Sequence, residues 1–266
     1  MALRVVIAVP GALWRWRQLI LELVLREFRS RYANASIGGL WHLIQPLGLI
    51  LVYTFVFSEL MRARLPGDPG STSYSIFLCA GLLPWTLFAD LVARGTTMFL
   101  ETAPLLKKSA VPRIAIPVVM GLNALLNFAV LFGIFLLWMS IFAPHFPDPA
   151  ALLAPLLLLT LLGLALGTLC GVLNVFLRDI GQIVTLGLQF GFWLTPIVWP
   201  LATLPPAWQS WVMLNPLVPL VQHLQAAMLG QPPAGSLLYP AIVAAVALIL
   251  AALYFRGLGK RLVDEL

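Results

Sequence analysis

Charge is what this sequence has least of. Of its 266 residues only 10% are charged while 61% are hydrophobic, whereas a water-soluble fold carries about 25% charged residues. An ordinary soluble domain is thereby excluded, and an integral membrane protein is indicated. No polar region is long enough to fold apart, so residues 1–266 read as a single transmembrane unit. The only two cysteines, Cys79 and Cys170, sit in apolar runs and read as small buried hydrophobes. The three histidines, His42, His145 and His223, are dispersed over different spans and loops, so no metal-ligand cluster is expected. The ten acidic residues do not gather at one interface, which counts against a carboxylate pair or a nucleophilic triad. No phosphate-cradling GxxxxGK[ST] occurs, because the only Gly-Lys pair, Gly259 and Lys260, runs into Arg261. Internal repeats are missing too, which lowers the expectation of a transporter built on inverted repeats. The first 12 residues lack the cleavage pattern of a signal peptide, so the N-terminus is expected to be retained.

What is present begins with a basic amphipathic stretch at 13–33, whose heart reads WRWRQLILELVLREFRSRY. At helical pitch Trp14, Leu21, Leu25 and Phe28 fall on one stripe, flanked or opposed by most of the arginines. Such a helix prefers to lie in a membrane surface. Six apolar runs follow, at about 37–60, 74–100, 114–142, 150–176, 181–199 and 237–255, and a helix needs roughly 20 apolar residues to cross the hydrocarbon. The predicted fold class is therefore all-α integral membrane, with six transmembrane helices behind an N-terminal amphipathic helix. Six spans put both termini on one side. Connections on that side hold Arg4, Arg15, Arg17, Arg26, Arg29, Arg31, Lys107, Lys108, Arg113, Arg178, Arg256, Lys260 and Arg261, against Arg62 and Arg64 on the other. Thirteen against two predicts a multi-pass chain with both termini cytosolic. The net charge of +6 follows this topogenic pattern and does not call for nucleic acid.

The segment 200–233 is too apolar and too rich in proline for a plain loop. Trp208 and Trp211 suit one helical face, and two short helices, 207–214 and 219–229, broken at Asn215 and Pro216, fit its signals. It reads as an external re-entrant hairpin, tolerable at membrane depth only when buried in protein or lining a cavity; the alternative is an amphipathic external loop with a tryptophan belt. Asp90 and Arg94, four residues apart inside the second run, share a helical face. They are either gate candidates or a pair that neutralises itself near the cytosolic end of the span, with Arg94 reaching for headgroups. Glu59 pairs on paper with Arg62 or Arg64. Aromatics crowd the spans and their ends, and those at Tyr53, Phe57 and Trp193 have two readings, interfacial anchoring or stacking on sugar rings along a polysaccharide path. In the connection 101–117, Pro104 and Pro112 bracket a short helix with Lys107 and Lys108, which either offers positive charge to a cytosolic partner or serves as topogenic charge against headgroups.

Four blocks, LREFRSRYANASIGGLWHLIQPL, GLLPWTLFADLVARGTTMFLETAPLLKKSAVPR, LRDIGQIVTLGLQFGFWLTPIVWP and LNPLVPLVQHLQAAML, stand in an order and spacing that resemble the permease subunit of ABC-2 type polysaccharide exporters, the group that exports O-antigen, capsular polysaccharide or teichoic acid. The resemblance runs from about residue 23 to 261. It implies a bacterial inner-membrane homodimer above two copies of a separate ATPase, with ATP and Mg²⁺ held by the ATPase and no cofactor in this chain. It implies a lipid-linked polysaccharide as substrate, O-antigen before capsule, membrane lipid around the bundle, and periplasmic export components further out. The ATPase would meet the N-terminal helix and the loop after the second span, here through Arg26, Arg29, Arg31, Lys107, Lys108 and Arg113. The channel would be lined by aromatics of the first and fifth spans, placed here at Trp41, Tyr53, Phe57, Phe190 and Trp193. The two rival readings are an ABC-2 permease for a drug or small lipid, and, from another class, a membrane enzyme of lipid-linked sugar metabolism, which would require the clustered acids or histidines that are missing.

Overall fold

Among the described residues helices form where the apolar runs are long, because in hydrocarbon a backbone must satisfy its own hydrogen bonds. The computed structural model describes residues 16–33, 71–108, 112–143, 145–232 and 235–265, with isolated positions between 44 and 56. The described helices are α1 (Arg17–Ala33), α2 (Ser71–Glu101), α3 (Ala103–Lys108), α4 (Ala115–Phe142), α5 (Pro149–Phe176), α6 (Ile180–Leu194), α7 (Pro206–Val212), α8 (Leu217–Met228) and α9 (Leu238–Glu265), and there is no strand among the described residues. Four of them, α2, α4, α5 and α9, contain segments long and apolar enough to cross a bilayer, and they occupy the second, third, fourth and sixth expected runs. The first run lies outside the described residues, isolated positions aside, and Trp41, Tyr53, Phe57, Glu59, Arg62 and Arg64 lie outside them too.

The fifth run is a correction. Its helix stops at Leu194 instead of reaching residue 199, leaving 15 residues, or about 22 Å at 1.5 Å per residue, and non-helical residues carry the chain on to Val198, beside Tyr74 at the start of α2. Pro196 explains the stop. A proline disfavours the helical conformation in the residue before it, and Thr195 is extended at φ −101°, ψ 133°.

α2 is the centre of the bundle: 78% of its apolar window is buried, against 22% for α9 and 28% for α4. It runs parallel to α5. Gly163 lies beside Phe88 and Leu91, and Gly171 beside Gly95 and Phe99. At their crossing the two backbones touch. A Cβ at Gly167 would stand 2.3 Å from the Leu91 carbonyl oxygen, and one at Gly171 2.2 Å from that of Gly95. Small residues at four-residue spacing allow this close approach, the usual way membrane helices gain packing energy. α5 starts cleanly, with Pro149 in its first turn and the Asp148 carboxylate accepting from the Ala150 amide at 3.0 Å. On α4 the residues Leu122, Leu126, Val130, Ile134, Leu137 and Ile141 form a continuous exposed apolar stripe, the face such a helix turns to lipid.

The Pro-rich segment divides into two unlike arms. α7 buries none of its residues, and Trp208 and Trp211 are 63% and 69% exposed. α8 is almost wholly buried against α2 and α5. The break between them sits at the expected place: the Asn215 side chain accepts from the Leu217 amide at 3.0 Å and donates to Thr195 Oγ1 at 3.0 Å. The irregular turn after α6 is satisfied from neighbouring helices. Tyr74 donates its hydroxyl to the Val198 carbonyl at 2.7 Å, and Gln225 Nε2 donates to the Pro196 carbonyl at 3.1 Å. Irregular backbone at membrane depth needs such partners.

Candidate functional site

α1 carries two apolar faces, and the structure uses the one that the stripe of Leu21 and Leu25 leaves out. Ile20 and Val24 are buried against Ala115 and Val119 of α4, while Leu21 and Leu25 are more than half exposed. Two buried aliphatic side chains contribute about 1.5–3 kcal/mol each when removed from water. Seven residues on from Ile20 and three from Val24, Glu27 lies on that same docked face, and docking carries it into the bundle. There its carboxylate pairs with the Arg94 guanidinium through Oε1 and accepts from Asn123 Nδ2 at 2.7 Å through Oε2. Arg94 also donates to Asp90 Oδ2, one turn earlier, at 3.3 Å. Asp90 and Arg94 are thus a pair, as their spacing allows, and the pair has a third member from α1. The Arg94 and Glu27 side chains are 22% and 31% exposed, so solvent screens this network only in part. Asn123 is buried, and its Oδ1 has no hydrogen-bond partner among the described residues.

Beside the network opens a cleft of about 620 Å³ between α1, the end of α2, α3 and the start of α4, with Arg26, Glu27, Arg94 and Glu101 as its charged lining. α3 is held there by Leu106, which is buried in the core, while Lys107 is exposed and Arg113 half-buried. Arg26 is exposed at the rim. Arg29, Arg31 and Lys108 continue the helical backbone of α1 and α3, but their side chains lie outside the described residues.

The second feature is α6, a helix with no buried residue. Phe190 and Trp193 are 63% and 54% exposed, and Ile183, Leu186 and Leu194 are exposed with them. It rests on α2 through the edge-on contact of Phe192 with Trp85 at 5.9 Å and through Gly191, which leaves room for the Trp85 ring. Sequence reasoning singled out Phe190 and Trp193 but passed over Gln182, Thr185 and Gln189, which are all exposed and recur at i, i+3 and i+7. Polar side chains at helical spacing inside an apolar run were the available signal. Amides and aromatics on one exposed helix can offer hydrogen bonds and stacking faces together.

The structure brings Arg26, Lys107, Arg113 and the Asp90–Arg94 pair to one end of the bundle, and Trp208, Trp211, Asn215 and Pro216 to the end where α2 begins. Among proteins of known kind, the model of the ABC-2 type transporter family matches residues 18–229. The O-antigen export system permease protein RfbA of Myxococcus xanthus is 31% identical over 218 residues, covering 80% of this chain and 81% of that protein. Its namesake in Klebsiella pneumoniae is 25% identical over 205 residues, 76% of this chain and 77% of that one. The polysialic acid transport protein KpsM of Escherichia coli is 24% identical over 209 residues, 78% and 80% of the two chains.

Proposed function

This chain belongs to the ABC-2 type transporter family, and on that footing we propose that it is the membrane-spanning permease of an ATP-driven exporter that moves a lipid-linked polysaccharide out of the cytosol, with O-antigen ahead of capsule. The observation that carries the reading is the likeness to the O-antigen export permease of Myxococcus xanthus over four-fifths of both chains. The chain supplies no nucleotide motif of its own, so hydrolysis falls to a separate ATPase that holds ATP and Mg²⁺. It works as a bacterial inner-membrane homodimer over two such subunits, because two copies about a two-fold axis can enclose a path that one small bundle cannot. Both termini are cytosolic in this reading, which the basic connections support.

In this reading the cytosolic end is the α1, α2 and α3 end. Arg26, Arg29, Arg31, Lys107, Lys108 and Arg113 present positive charge to the ATPase, and closure of the ATPase pair presses on α1 and α3. Because Glu27 holds Arg94, that push enters α2, the central helix; Asp90 and Arg94 act as part of a gate in this sense. α6 faces the path with Phe190, Trp193, Gln182, Thr185 and Gln189, joined by Trp41, Tyr53 and Phe57 of the first run. Stacking and amide hydrogen bonds suit a sugar chain that must slide without being held. Trp208 and Trp211 mark the external rim.

A host strain deleted for this chain tests the substrate. It should lose its surface polysaccharide and accumulate lipid-linked glycan in the cytoplasmic leaflet, with both restored by the wild-type gene. Normal surface polysaccharide in the deletion strain, with altered resistance to a drug instead, would replace this reading by its rival.

A further inference from the structure

The cap at the start of α6 comes from an unexpected quarter. Asp179 stands at the N-cap position and makes no side-chain capping bond, although Asp is among the best residues for that task. The Gly181 amide instead donates to Asn174 Oδ1 at 3.1 Å, across the turn and from the last part of α5. The same Asn174 side chain, only 3% exposed, donates through Nδ2 to the Thr96 carbonyl of α2 at 2.9 Å. One amide thus joins three helices. Thr96 lies two residues beyond Arg94, the residue that holds Glu27 of α1. At the same level Gly95 meets Gly167 and Gly171 backbone to backbone, so no side-chain layer is left between α2 and α5 to absorb a shift.

From this geometry we infer that Asn174 is a positioning residue that passes displacement of α1 and α2 to the start of α6. The inference rests on the proposed function, since it concerns how the ATPase's push reaches the helix facing the path. Its chain is short and physically continuous: Glu27 to Arg94, two residues along a rigid helix to Thr96, the Asn174 amide, then the first turn of α6. A purely structural role would be filled by a local cap at Asp179 and an apolar residue at 174. A single side chain that spends its donor on α2 and its acceptor on α6 ties the start of α6 directly to α2.

The test uses the complete permease–ATPase complex in vesicles with a lipid-linked glycan, comparing wild type with Asn174→Ala, Asn174→Asp, Glu27→Gln and the Glu27→Gln, Asn174→Ala double variant. Asn174→Ala should lower glycan exported per ATP hydrolysed by about tenfold, the scale of a coupling of this kind. The double variant should be no worse than the more severe single one, as for residues acting in one chain of contacts. A cysteine placed at 182, with Cys79 and Cys170 replaced by serine, gives the second readout: its reactivity towards a polar maleimide should change on ATP addition, and that change should vanish in Asn174→Ala. Asn174→Asp keeps the size and the acceptor for Gly181 but loses the donor to Thr96, and it carries the test if the alanine variant fails to assemble. Wild-type export per ATP in either variant, additive losses in the double variant, a persisting ATP response at 182, or loss of assembly in both variants would each overturn the inference. If the wild-type complex exports nothing, the proposed function falls first and the inference with it; if it exports and the variants do too, the inference alone falls.

Discussion

A single guanidinium decides how the amphipathic helix meets the bundle. Arg94 takes Asp90 from its own helix and Glu27 from α1, and Asn123 takes the second oxygen of Glu27. Breaking a fully buried pair costs about 3–5 kcal/mol, but with about a quarter of both side chains exposed the value here should be smaller. We expect Arg94→Ala and Glu27→Ala each to lower the melting temperature in detergent, with a coupling of about 1–2 kcal/mol in the double-mutant cycle; strictly additive losses would deny the contact. The pairing of Asp90 with Arg94 was legible in the sequence, because four residues is one helical turn. Glu27 was not, since it lies 67 positions from Arg94 and its face turns inward only when Ile20 and Val24 dock. Local periodicity marked Leu21 and Leu25 instead, the side that remains exposed.

Among the helices, the crossing of α2 and α5 is the most sensitive to added volume. Alanine at Gly167 or Gly171 would force a methyl group to 2.3 or 2.2 Å from a carbonyl oxygen, where neither backbone can yield, so each should cost about 1–3 kcal/mol as overpacking does. Gly187→Ala on α6, with nothing within 4 Å of its Cβ, should be neutral or slightly stabilising; thermal unfolding of the three variants side by side checks the contrast. α3 makes a functional prediction of its own. Leu106 anchors it while Lys107 is exposed, so Lys107→Glu should leave the fold intact and uncouple ATP hydrolysis from export, and unchanged coupling would remove α3 from the contact surface. Runs of more than 20 apolar residues made four helices readable, and Asn215 with Pro216 made the break between α7 and α8 readable. The end of α6 was readable in principle from Pro196, yet the apolar run continues to Trp199 and hid it. The unequal burial of α7 and α8 was beyond reach, because both are apolar and only tertiary packing separates them.

Viewed as one object, the molecule is polarised. Among the described residues Arg26 of α1, Lys107 of α3 and the α5–α6 turn lie towards the end where α2 finishes, and the tryptophans of α7 lie towards the other end. That polarity predicts sidedness: a cysteine at Arg178 should be labelled by an impermeant reagent only after the inner membrane is opened, and one at Ser210 in intact spheroplasts, whereas the reverse pattern would invert the topology. The polarity also fits a conduit driven from one face. The exposed amide and aromatic surface of α6 and the ion network linking α1 to the central helix both bear on the proposal that this chain conducts while another supplies the energy. The most direct measurement is flux in sealed vesicles with the permease alone, with its ATPase, and with its ATPase plus ATP. The account predicts movement of lipid-linked glycan in the third case only; glycan movement or ATP hydrolysis by the permease alone would contradict it.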